Sequence, residues 1–465
     1  MTSVSGSATV GIDIGSTAVK AVAADADGRV LARVRVPHRL ISTASDRLEH
    51  DAEKAWRRGP RQALAEVSTG LDVAGVCVAG MVPSLAAVDR RGRPLTPGLL
   101  YGDARGYLEE GVPPTPGSMP DAEGFLRWAH RAHPDAAGYW PAQAVAGYAL
   151  AQVPAIDSAM SATLGRLLHW GQWSEATLTE FGVRPDQMPT IVPLGGPAGT
   201  VTGTGAVLAG GTVDALCDQI VAGADEVGDV LVVCGATLIV WAVIGEWVDA
   251  PGLWTIPHTV PDRILIGGPS NAGALFVDWA RSLLRGGFRR PPAERSGPDR
   301  HPAGELAPRA GDPERIPVWL PYLRGERVPF HDPTLRSGLH GLDITQDATA
   351  LERAAYEASG FVIRRIVERG GVAARRIVAS GGGTRVGPWM QAMADAAGLP
   401  VDVVAVPEGA ALGAAYLARM AAGLAPTLEG SGAWARVGYR VDPDPAWQAA
   451  AARRYQRFVD LGPGA

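Results

Sequence analysis

The chain has almost no lysine, few cysteines and no strong excess of either charge. Only Lys20 and Lys54 occur among 465 residues, and the formal net charge is −5 at pH 7. That balance gives no basic footprint for a nucleic acid partner. The three cysteines (Cys77, Cys217 and Cys234) are widely spaced and lie in apolar surroundings. They predict buried free thiols in a reducing compartment, the cytoplasm, rather than a disulfide framework or a metal site.

No segment of the sequence predicts a membrane span. The first eight residues contain neither a basic region nor a long apolar run, so no signal peptide is expected. Residues 230 to 245 form an uncharged apolar run, but it is a little short for a bilayer, and Gly235-Ala236-Thr237 interrupts it. β-Branched residues flank the interruption on both sides, which predicts two buried strands joined by a tight turn.

The length and the element pattern predict two α/β domains. A chain of 465 residues exceeds what one compact core usually holds. We expect an N-terminal lobe over 1–246 and a C-terminal lobe over 247–465, each with apolar strands that lead into glycine turns. Residues 106 to 190 are rich in tryptophan and predict a mostly helical insertion that shapes a pocket. Residues 289 to 317 are rich in Pro, Arg and Gly, and predict an exposed loop or lid.

A glycine turn follows the first apolar strand. Residues 9 to 14 form this strand, which carries Asp13 and leads into Gly15-Ser16-Thr17. Backbone N–H groups in such a turn can bind phosphate, and a carboxylate beside it can hold Mg²⁺. An ordinary β-meander with one solvated aspartate is the alternative interpretation. Lys20, beside the turn, is one of the two lysines of the chain.

Three further glycine turns follow apolar strands. They are predicted at 235–237, 267–271 and 381–383. Any one of them could reflect close backbone packing at the end of a strand. Four such turns divided between two lobes favour a site lined by backbone amides that binds a polyphosphate.

Asp214 stands at the start of a predicted helix, at the end of the sequence Gly-Gly-Thr-Val-Asp. An aspartate at this position is most often a helix cap or first-turn residue. The functional alternative is a general base that takes a proton from a substrate hydroxyl during phosphoryl transfer. Asp218, one helical turn later, would share its face, and spacing alone does not choose between the two.

Four segments of the sequence form a distinctive set. They are GIDIGST at 11–17, PYLRGERVPFHDP at 321–333, SGGGT at 380–384 followed by PWMQ at 388–391 and Ala394-Asp395, and VPEGAALGAA at 406–415. Together they resemble the FGGY carbohydrate kinases of the actin/Hsp70/sugar-kinase superfamily, in a xylulose-kinase-like branch. The likeness covers nearly the whole chain.

The resemblance implies a fold, a reaction and a set of site residues. The implied fold is two actin-like (ribonuclease-H-like) α/β lobes with a cleft for ATP and substrate between them. The implied cofactors are ATP and Mg²⁺. Counting back from Gly235 without a gap places the family's catalytic base at Asp214 rather than Asp218, and Asp13 would hold the metal. The residues implied to contact phosphate or adenosine are Gly15, Ser16, Thr17, Lys20, Gly235, Ala236, Thr237, Gly381, Gly382, Gly383 and Trp389.

The acceptor half departs from the family pattern. Met81, Val82, Pro83, Asp103 and Asp214 are expected to line the acceptor pocket. Val82 and Pro83, however, stand where xylulose kinases of the family carry a Met-His pair, and Asp103 retains only the carboxylate of a Trp-Asn-Asp motif. Ala236 also replaces the usual threonine of the second phosphate motif.

The predicted function is ATP-dependent phosphorylation of a hydroxyl on a small sugar or polyol, in the manner of a xylulose kinase. The alternatives are a kinase for another ketose, a cyclitol or a signalling polyol, and a catalytically weak sugar or nucleotide sensor. The predicted partner is the small-molecule acceptor, with no nucleic acid or membrane partner and with a homodimer as the assembly to test.

Overall fold

The computed structural model describes residues 7–42, 47–101, 103, 105, 120–169, 171–284 and 312–463. The chain divides into two compact units. Unit 1 comprises Met1–Val221 and Glu408–Trp434, and unit 2 comprises Ala222–Pro407 and Ala435–Ala465. The predicted boundary after residue 246 differs from this division. Most of the predicted loop at 289–317, and residues 106–119 of the predicted insertion, lie outside the described residues.

Unit 1 contains one seven-stranded sheet and several smaller sheets. Its strands are β1 (Ala8–Ile14), β2 (Ala18–Ala24), β3 (Val30–Pro37), β4 (Leu40–Ile41), β5 (Glu49–His50), β6 (Val73–Gly80), β7 (Ser84–Val88), β8 (Gly98–Leu100), β9 (Gly138–Trp140), β10 (Ala155–Asp157), β11 (Leu168–His169), β12 (Gln172–Trp173), β13 (Thr190–Val192), β14 (Pro197–Thr200), β15 (Val207–Ala209) and β16 (Thr212–Val213). Its helices are α1 (Gly59–Val67), α2 (Pro120–Ala132), α3 (Ala142–Ala151), α4 (Glu175–Glu180), α5 (Asp214–Ala222) and, after unit 2 has intervened, α9 (Gly409–Ala421).

The main sheet of unit 1 has the order β14-β15-β6-β1-β2-β3, and β16 also pairs with β6. Strands β1 and β16 both run parallel to β6, so their carboxyl ends meet at one edge. The register places Asp13, Ala79 and Thr212 side by side across these three strands. Asp13 and the start of α5 therefore lie at the same edge of the sheet.

Helix α9 packs closely against this sheet because its contact surface consists of small residues. A Cβ atom added to Gly11 of β1 would lie 1.8 Å from the carbonyl oxygen of Ala411. One added to Gly75 of β6 would lie 2.4 Å from the carbonyl oxygen of Ala418, and one added to Gly413 would lie 2.0 Å from that of Cys217. The alanines and glycines of the 406–415 segment thus allow α9 to contact β1, β6 and α5 at backbone distance.

Unit 2 is built on a second seven-stranded sheet of order β19-β20-β18-β17-β23-β24-β25. Its strands are β17 (Asp229–Cys234), β18 (Leu238–Ile244), β19 (Trp254–Pro257), β20 (Ile264–Ser270), β21 (Val318–Leu320), β22 (Gly338–His340), β23 (Arg376–Ser380), β24 (Val401–Val404) and β25 (Val437–Val441). Its helices are α6 (Ala274–Leu284), α7 (Ala348–Arg369), α8 (Gly387–Ala397) and α10 (Pro445–Leu461).

The structure bears on two predictions from the apolar runs of this unit. Strands β17 and β18 form the antiparallel pair expected for residues 230 to 245, and no helix within the described ranges is long and apolar enough to cross a membrane. The predicted turn at 267–271 is wrong. Gly267 and Gly268 lie inside β20, where a Cβ atom on Gly267 would lie 2.1 Å from the carbonyl oxygen of Val240 on the neighbouring strand.

The buried carboxylate of Glu326 explains part of the segment at 321–333. It accepts hydrogen bonds from Ser270 Oγ and the backbone N–H of Asn271, both at 2.8 Å, and from the backbone N–H of Arg327 at 2.7 Å. Burial raises its pKa to about 7. Glu326 therefore anchors the end of β20 to this segment.

Candidate active site

Asp13 and Lys20 face each other across the first glycine turn. They are paired in the β1–β2 register, and Lys20 Nζ donates to Asp13 Oδ2 at 3.1 Å. The Asp13 side chain is 7% exposed and that of Lys20 is 30% exposed, so the pair lies at the edge of the buried sheet. The negative charge of Asp13 is the largest cause of the raised pKa of Lys20. Lys20 is therefore a fixed cation at this edge.

Asp214 is the first residue of α5 and stands directly after β16. Its Oδ1 accepts a hydrogen bond from the backbone N–H of Ala215 at 2.7 Å. Burial raises the pKa of Asp214 to about 6, and the charge of Asp13 adds to the shift, while Lys20 opposes it. A carboxyl group with this pKa is ionised at neutral pH and still basic enough to accept a proton from a polarised hydroxyl.

Asp218 differs from Asp214 in its setting. It lies one turn further along α5, is 5% exposed, and its negative charge contributes to the raised pKa of Lys20. It stands further from the carboxyl end of β16, where the chain leaves the sheet. The structure thus gives Asp214, rather than Asp218, the position directly at the sheet edge.

His50 of β5 stabilises the first glycine turn through a hydrogen bond to its backbone. His50 Nε2 donates to the carbonyl oxygen of Ser16 at 2.8 Å, and His50 Nδ1 accepts from Trp56 Nε1 at 3.0 Å. This pair of bonds fixes the neutral tautomer with the proton on Nε2. Burial, reinforced by the neighbouring His38, lowers the pKa of His50 to about 3. On the other side, Ser16 Oγ and the hydroxyl of Tyr101 are 3.0 Å apart.

The predicted acceptor segment follows β6 directly. Met81 is 3% exposed, Pro83 is buried and Val82 is half-buried. Ser84 Oγ accepts from the backbone N–H of Ala142 at 3.1 Å, which fixes the end of the segment. Of the apolar side chains at 81–83, that of Val82 is therefore the one that is partly accessible beside the sheet edge that carries Asp13.

Asp103 is fully buried, and its oxygens are occupied by its own unit. Its carboxylate accepts from the backbone N–H of Leu48 at 2.7 Å and from Arg105 Nη2 at 2.6 Å and Nε at 2.8 Å. Arg105 also contacts Glu49 at 2.5 Å and lies over the ring of Trp128, 4.9 Å from its centroid. The Asp103 carboxylate is thus buried in an ion pair with Arg105 and has no exposed surface.

In unit 2 the two remaining predicted glycine turns follow adjacent parallel strands. β17 pairs with β23 so that Val233 lies opposite Ser380, and the turns at 235–237 and 381–383 leave from the same edge. Gly381 has φ +90°, and a Cβ atom there would lie 2.8 Å from the carbonyl oxygen of Cys234. Gly235, Ala236 and Thr237 are half-buried and Gly382 is exposed, so backbone remains accessible on both turns.

Trp389 supports the second of these turns from below. Its side chain is 1% exposed, and a Cβ atom on Gly383 would lie 2.4 Å from its ring. In the structure Trp389 is therefore a buried residue that packs against the turn of the predicted adenosine motif.

Comparison with known proteins assigns the family. The model of the N-terminal domain of the FGGY family of carbohydrate kinases matches residues 8–109, and that of the C-terminal domain matches residues 230–422. The chain belongs to the FGGY family of carbohydrate kinases. It is an ATP-dependent carbohydrate kinase, as predicted from the sequence.

Individual relatives span almost the whole chain. The xylulose kinase of Escherichia coli (strain K12) is 27% identical over 456 residues, which cover 89% of this chain and 90% of that protein. The gluconokinase of Bacillus subtilis (strain 168) is 24% identical, covering 89% of this chain and 87% of that protein. The crystal structure of xylulose kinase from Rhodospirillum rubrum superposes with a TM-score of 0.73 at 26% identity and covers 98% of both chains. The predicted fold class, the α/β fold of the two-lobed FGGY sugar kinases, is confirmed.

The residues at the edge of unit 1 fit a magnesium ion held jointly with nucleotide phosphates. Asp13 and Asp214 are close enough for the charge of one to raise the pKa of the other, an arrangement that a divalent cation would relieve. Across the described ranges, no three His, Cys, Asp or Glu side chains converge into a complete ligand set. Mg²⁺ commonly uses one or two carboxylates together with substrate phosphates, so Asp13 remains the predicted protein ligand.

Two residues of this region had no signal in the sequence. His50 and Gln143 reach their partners across 34 and at least 63 residues, respectively. Neither belongs to a recognisable motif, and neither spacing is periodic. Only the folded structure brings them to the sheet edge that carries Asp13 and Asp214.

Proposed function

We propose that this kinase transfers the γ-phosphoryl group of ATP to a hydroxyl of a small sugar or polyol, with Asp214 as the general base. The observation that carries the proposal is the position of Asp214 at the sheet edge, beside Asp13 and Lys20, with a pKa of about 6. Its carboxylate takes the proton of the acceptor hydroxyl, and the acceptor oxygen forms a bond to the γ-phosphorus. The bond from that phosphorus to the bridging oxygen breaks, ADP leaves, and Asp214 returns its proton to solvent.

The surrounding residues supply charge and position. The turn at Ser16 and Thr17 is proposed to offer backbone N–H groups to phosphate oxygens, and Lys20 a fixed positive charge. The N–H of Gly15 closes the turn by donating to the carbonyl oxygen of Ala18 at 3.1 Å. In unit 2, the turns at 235–237 and 381–383 are proposed to bind the phosphates and the adenosine. Mg²⁺ held at Asp13 would neutralise phosphate charge.

For the acceptor, we propose a ketose or sugar acid of the kind used by the relatives, bound with fewer polar contacts at one end. The relatives include enzymes named xylulose kinase and gluconokinase. The surface at Met81, Val82 and Pro83 lacks a side-chain donor or acceptor for a hydroxyl, apart from the sulfur of Met81. An acceptor that requires a polar partner there should be disfavoured.

An ADP-release assay with D-xylulose, D-ribulose, D-gluconate, glycerol and myo-inositol tests the proposal. We expect stimulation by at least one sugar or sugar acid, abolished in Asp214→Asn and largely kept in Asp218→Asn. Retention of wild-type turnover by Asp214→Asn would show that the base assignment is wrong. Absence of stimulation by any acceptor, with ATP binding shown by calorimetry, would favour the sensor alternative.

A further inference from the structure

Gln143 bridges two segments of the proposed active site. It lies in the first turn of α3 and is fully buried. Its Nε2 group donates to the carbonyl oxygen of Gly80 at 2.8 Å and to that of Thr212 at 3.0 Å. Since the two acceptors are both carbonyls, only the NH₂ end of the amide can face them, and both of its N–H groups are used.

The two carbonyls stand immediately before proposed functional residues. Gly80 ends β6, and the acceptor segment Met81-Val82-Pro83 follows it directly. Thr212 lies in β16, two residues before Asp214. The β6–β16 ladder pairs Thr212 with Ala79 and ends at the pair Val213–Gly80, so regular pairing stops at the point where both segments leave the sheet. At these last paired residues the amide of Gln143 adds a direct link between the two strands.

The sequence makes room for this amide on both sides. A Cβ atom on Gly211 would lie 2.5 Å from Gln143 Cβ, closer than real Cβ atoms approach. One on Gly80 would lie 3.3 Å from Gln143 Nε2. The backbone of α3 at position 143 therefore requires glycine at 211, and a methyl group at 80 would make the amide yield by a few tenths of an ångström. These close approaches show that residue 143 lies tightly packed between the two segments.

We propose that Gln143 is a positioning residue that sets the separation between the acceptor segment at 81–83 and the base Asp214, an inference that rests on the proposed function. A hydroxyl held on one segment meets a base carried by the other, so the reaction geometry depends on their separation. Displacement of reacting groups by about 1 Å costs on the order of a hundredfold in rate. Gln143 touches neither substrate in this scheme and acts through the two backbones.

Gln187 provides a matched control within the same unit. It is also a buried glutamine, 2% exposed. It makes two hydrogen bonds to backbone, from Nε2 to the carbonyl oxygen of Ala136 at 2.8 Å and from the N–H of Arg184 to Oε1 at 2.9 Å. Its bonds do not reach the 80–84 or 212–216 segments. Gln143→Met and Gln187→Met keep a similar side-chain length, and each removes two hydrogen bonds to backbone, so Gln187→Met controls for the loss of a buried glutamine as such.

The first measurement is steady-state phosphorylation of the acceptor that gives the largest ADP release in the panel. We expect Gln143→Met to lower kcat about 10- to 100-fold while KM for ATP changes by less than about threefold, and Gln187→Met to leave kcat within about twofold. Equal kcat values for the two variants would overturn the proposal. Asp214→Asn is assayed alongside to separate the two proposals. An active Asp214→Asn refutes the base assignment in the proposed function. Equal kcat values for the two glutamine variants, with an inactive Asp214→Asn, refute only the positioning role of Gln143.

The second measurement does not depend on turnover. Backbone hydrogen exchange is followed in peptides that cover 80–84 and 212–216 in the full-length protein. We expect Gln143→Met to accelerate exchange in both segments by about tenfold or more, and Gln187→Met to accelerate it in neither. Acceleration in only one segment, or in none, would contradict a bridging role.

Discussion

At the scale of single residues, Asp214 and Asp218 show how position separates two identical side chains. They share α5 and lie one turn apart, yet Asp214 directly follows β16, and its pKa is raised by the charge of Asp13, whereas Asp218 lies one turn further along the helix. The sequence named both as candidates, and the family resemblance chose Asp214. Burial and the like charge of Asp13 then give this carboxyl a pKa suited to proton transfer.

The pH dependence of the rate should report this pKa. Asp214 must be ionised to accept a proton, so kcat/KM should fall tenfold per pH unit below about pH 6, with the acid limb set by the raised pKa of Asp214. Initial rates between pH 5 and 9 measure it, and Asp218→Asn should keep the same acid limb. A profile that stays flat down to pH 5 would contradict the assignment.

The same shift predicts that Asp214→Asn stabilises the protein. The folded pKa of Asp214, about 6, lies above the ordinary aspartate value of 3.8, so folding disfavours the ionised carboxylate. The wild-type protein therefore gains stability as pH falls from above 6 to below about 4, and the uncharged variant does not. We expect the variant to be more stable by about 1–3 kcal/mol at pH 8, and by much less at pH 4.

Thermal denaturation at the two pH values measures this difference. Asp186→Asn is the control, because Asp186 is an exposed carboxylate paired with Arg184 on the surface. Its replacement should not reproduce the stabilisation at pH 8. An Asp214→Asn variant that is equally or less stable than the wild type at pH 8 would show that the ionised carboxylate is not penalised in the folded protein.

His50 is predicted to hold the phosphate turn in place. His50→Ala removes the donor to the carbonyl oxygen of Ser16, so KM for ATP should rise about 5- to 20-fold with a smaller change in kcat. His50→Gln keeps a donor and should lose less. Because burial holds the pKa of His50 at about 3, none of these effects should vary between pH 6 and 9.

His258 is the control for this experiment. In unit 2 it makes the same pair of contacts, from Nε2 to the carbonyl oxygen of Ala224 at 3.1 Å and from the N–H of Val260 to Nδ1 at 2.8 Å. His258→Ala should therefore leave KM for ATP near the wild-type value. Equal increases in the two variants would indicate general destabilisation rather than loss of support for the turn.

At the scale of elements, local patterns predicted most strands and helices that carry the motifs. The apolar pattern predicts a helix over about 348–369 and strands at 376–380 and 401–404, and α7, β23 and β24 have these bounds. It also predicts a helix at about 52–68, bent or broken near Pro60, where the structure has a π-helix over Glu53–Arg58 followed by α1. Here the apolar period and the proline were sufficient local signals.

Local patterns failed where pairing is distant. In the described part of the insertion, which is predicted to be mostly helical, α2, α3 and α4 alternate with short strands, β9 to β13, that the pattern does not predict. β9 pairs with β7 and β10 pairs with β13, partners that lie tens of residues away in the chain. Strands of two or three residues carry too few alternating positions to reveal such pairings.

Helix α9 leads to a prediction about packing. Gly11→Ala would place a methyl group 1.8 Å from the carbonyl oxygen of Ala411, and neither backbone can yield without moving the helix off the sheet. We expect a loss of about 3 kcal/mol or more in the free energy of unfolding, measured by urea denaturation. Gly432→Ala, in the same unit with no atom within 4 Å of the added methyl, should be tolerated. Equal midpoints for the two variants would contradict close packing.

At the scale of the whole molecule, the two units do not follow the order of the chain. The sequence predicted two α/β lobes with a boundary after residue 246. Local patterns near that boundary contain no information about a helix that packs on unit 1 but lies more than 150 residues further along the chain. α9 belongs to unit 1, although residues 222–407 separate it in the sequence from the first segment of that unit, which ends at Val221. Family resemblance identified the motif at 406–415, and only the structure shows which sheet that motif covers.

This arrangement predicts the behaviour of a fragment. A polypeptide of residues 1–246 retains β1 and β6 but lacks α9, so the surface around Gly11 and Gly75 has no cover. We expect this fragment to aggregate or to bind the dye ANS, and to lack a cooperative unfolding transition. A fragment that unfolds cooperatively and binds no dye would show that α9 is dispensable for the fold of unit 1.

The placement of α9 also has a consequence for synthesis in the cell. A ribosome releases all of 222–407 before the residues that complete unit 1 emerge. Unit 1 carries both Asp13 and Asp214. Its sheet is synthesised first, and α9 is synthesised only after residues 222–407, so the glycine-lined face of the sheet stays uncovered in the meantime. A chain interrupted between Asp214 and α9 would therefore hold both aspartates but lack the helix that covers their sheet.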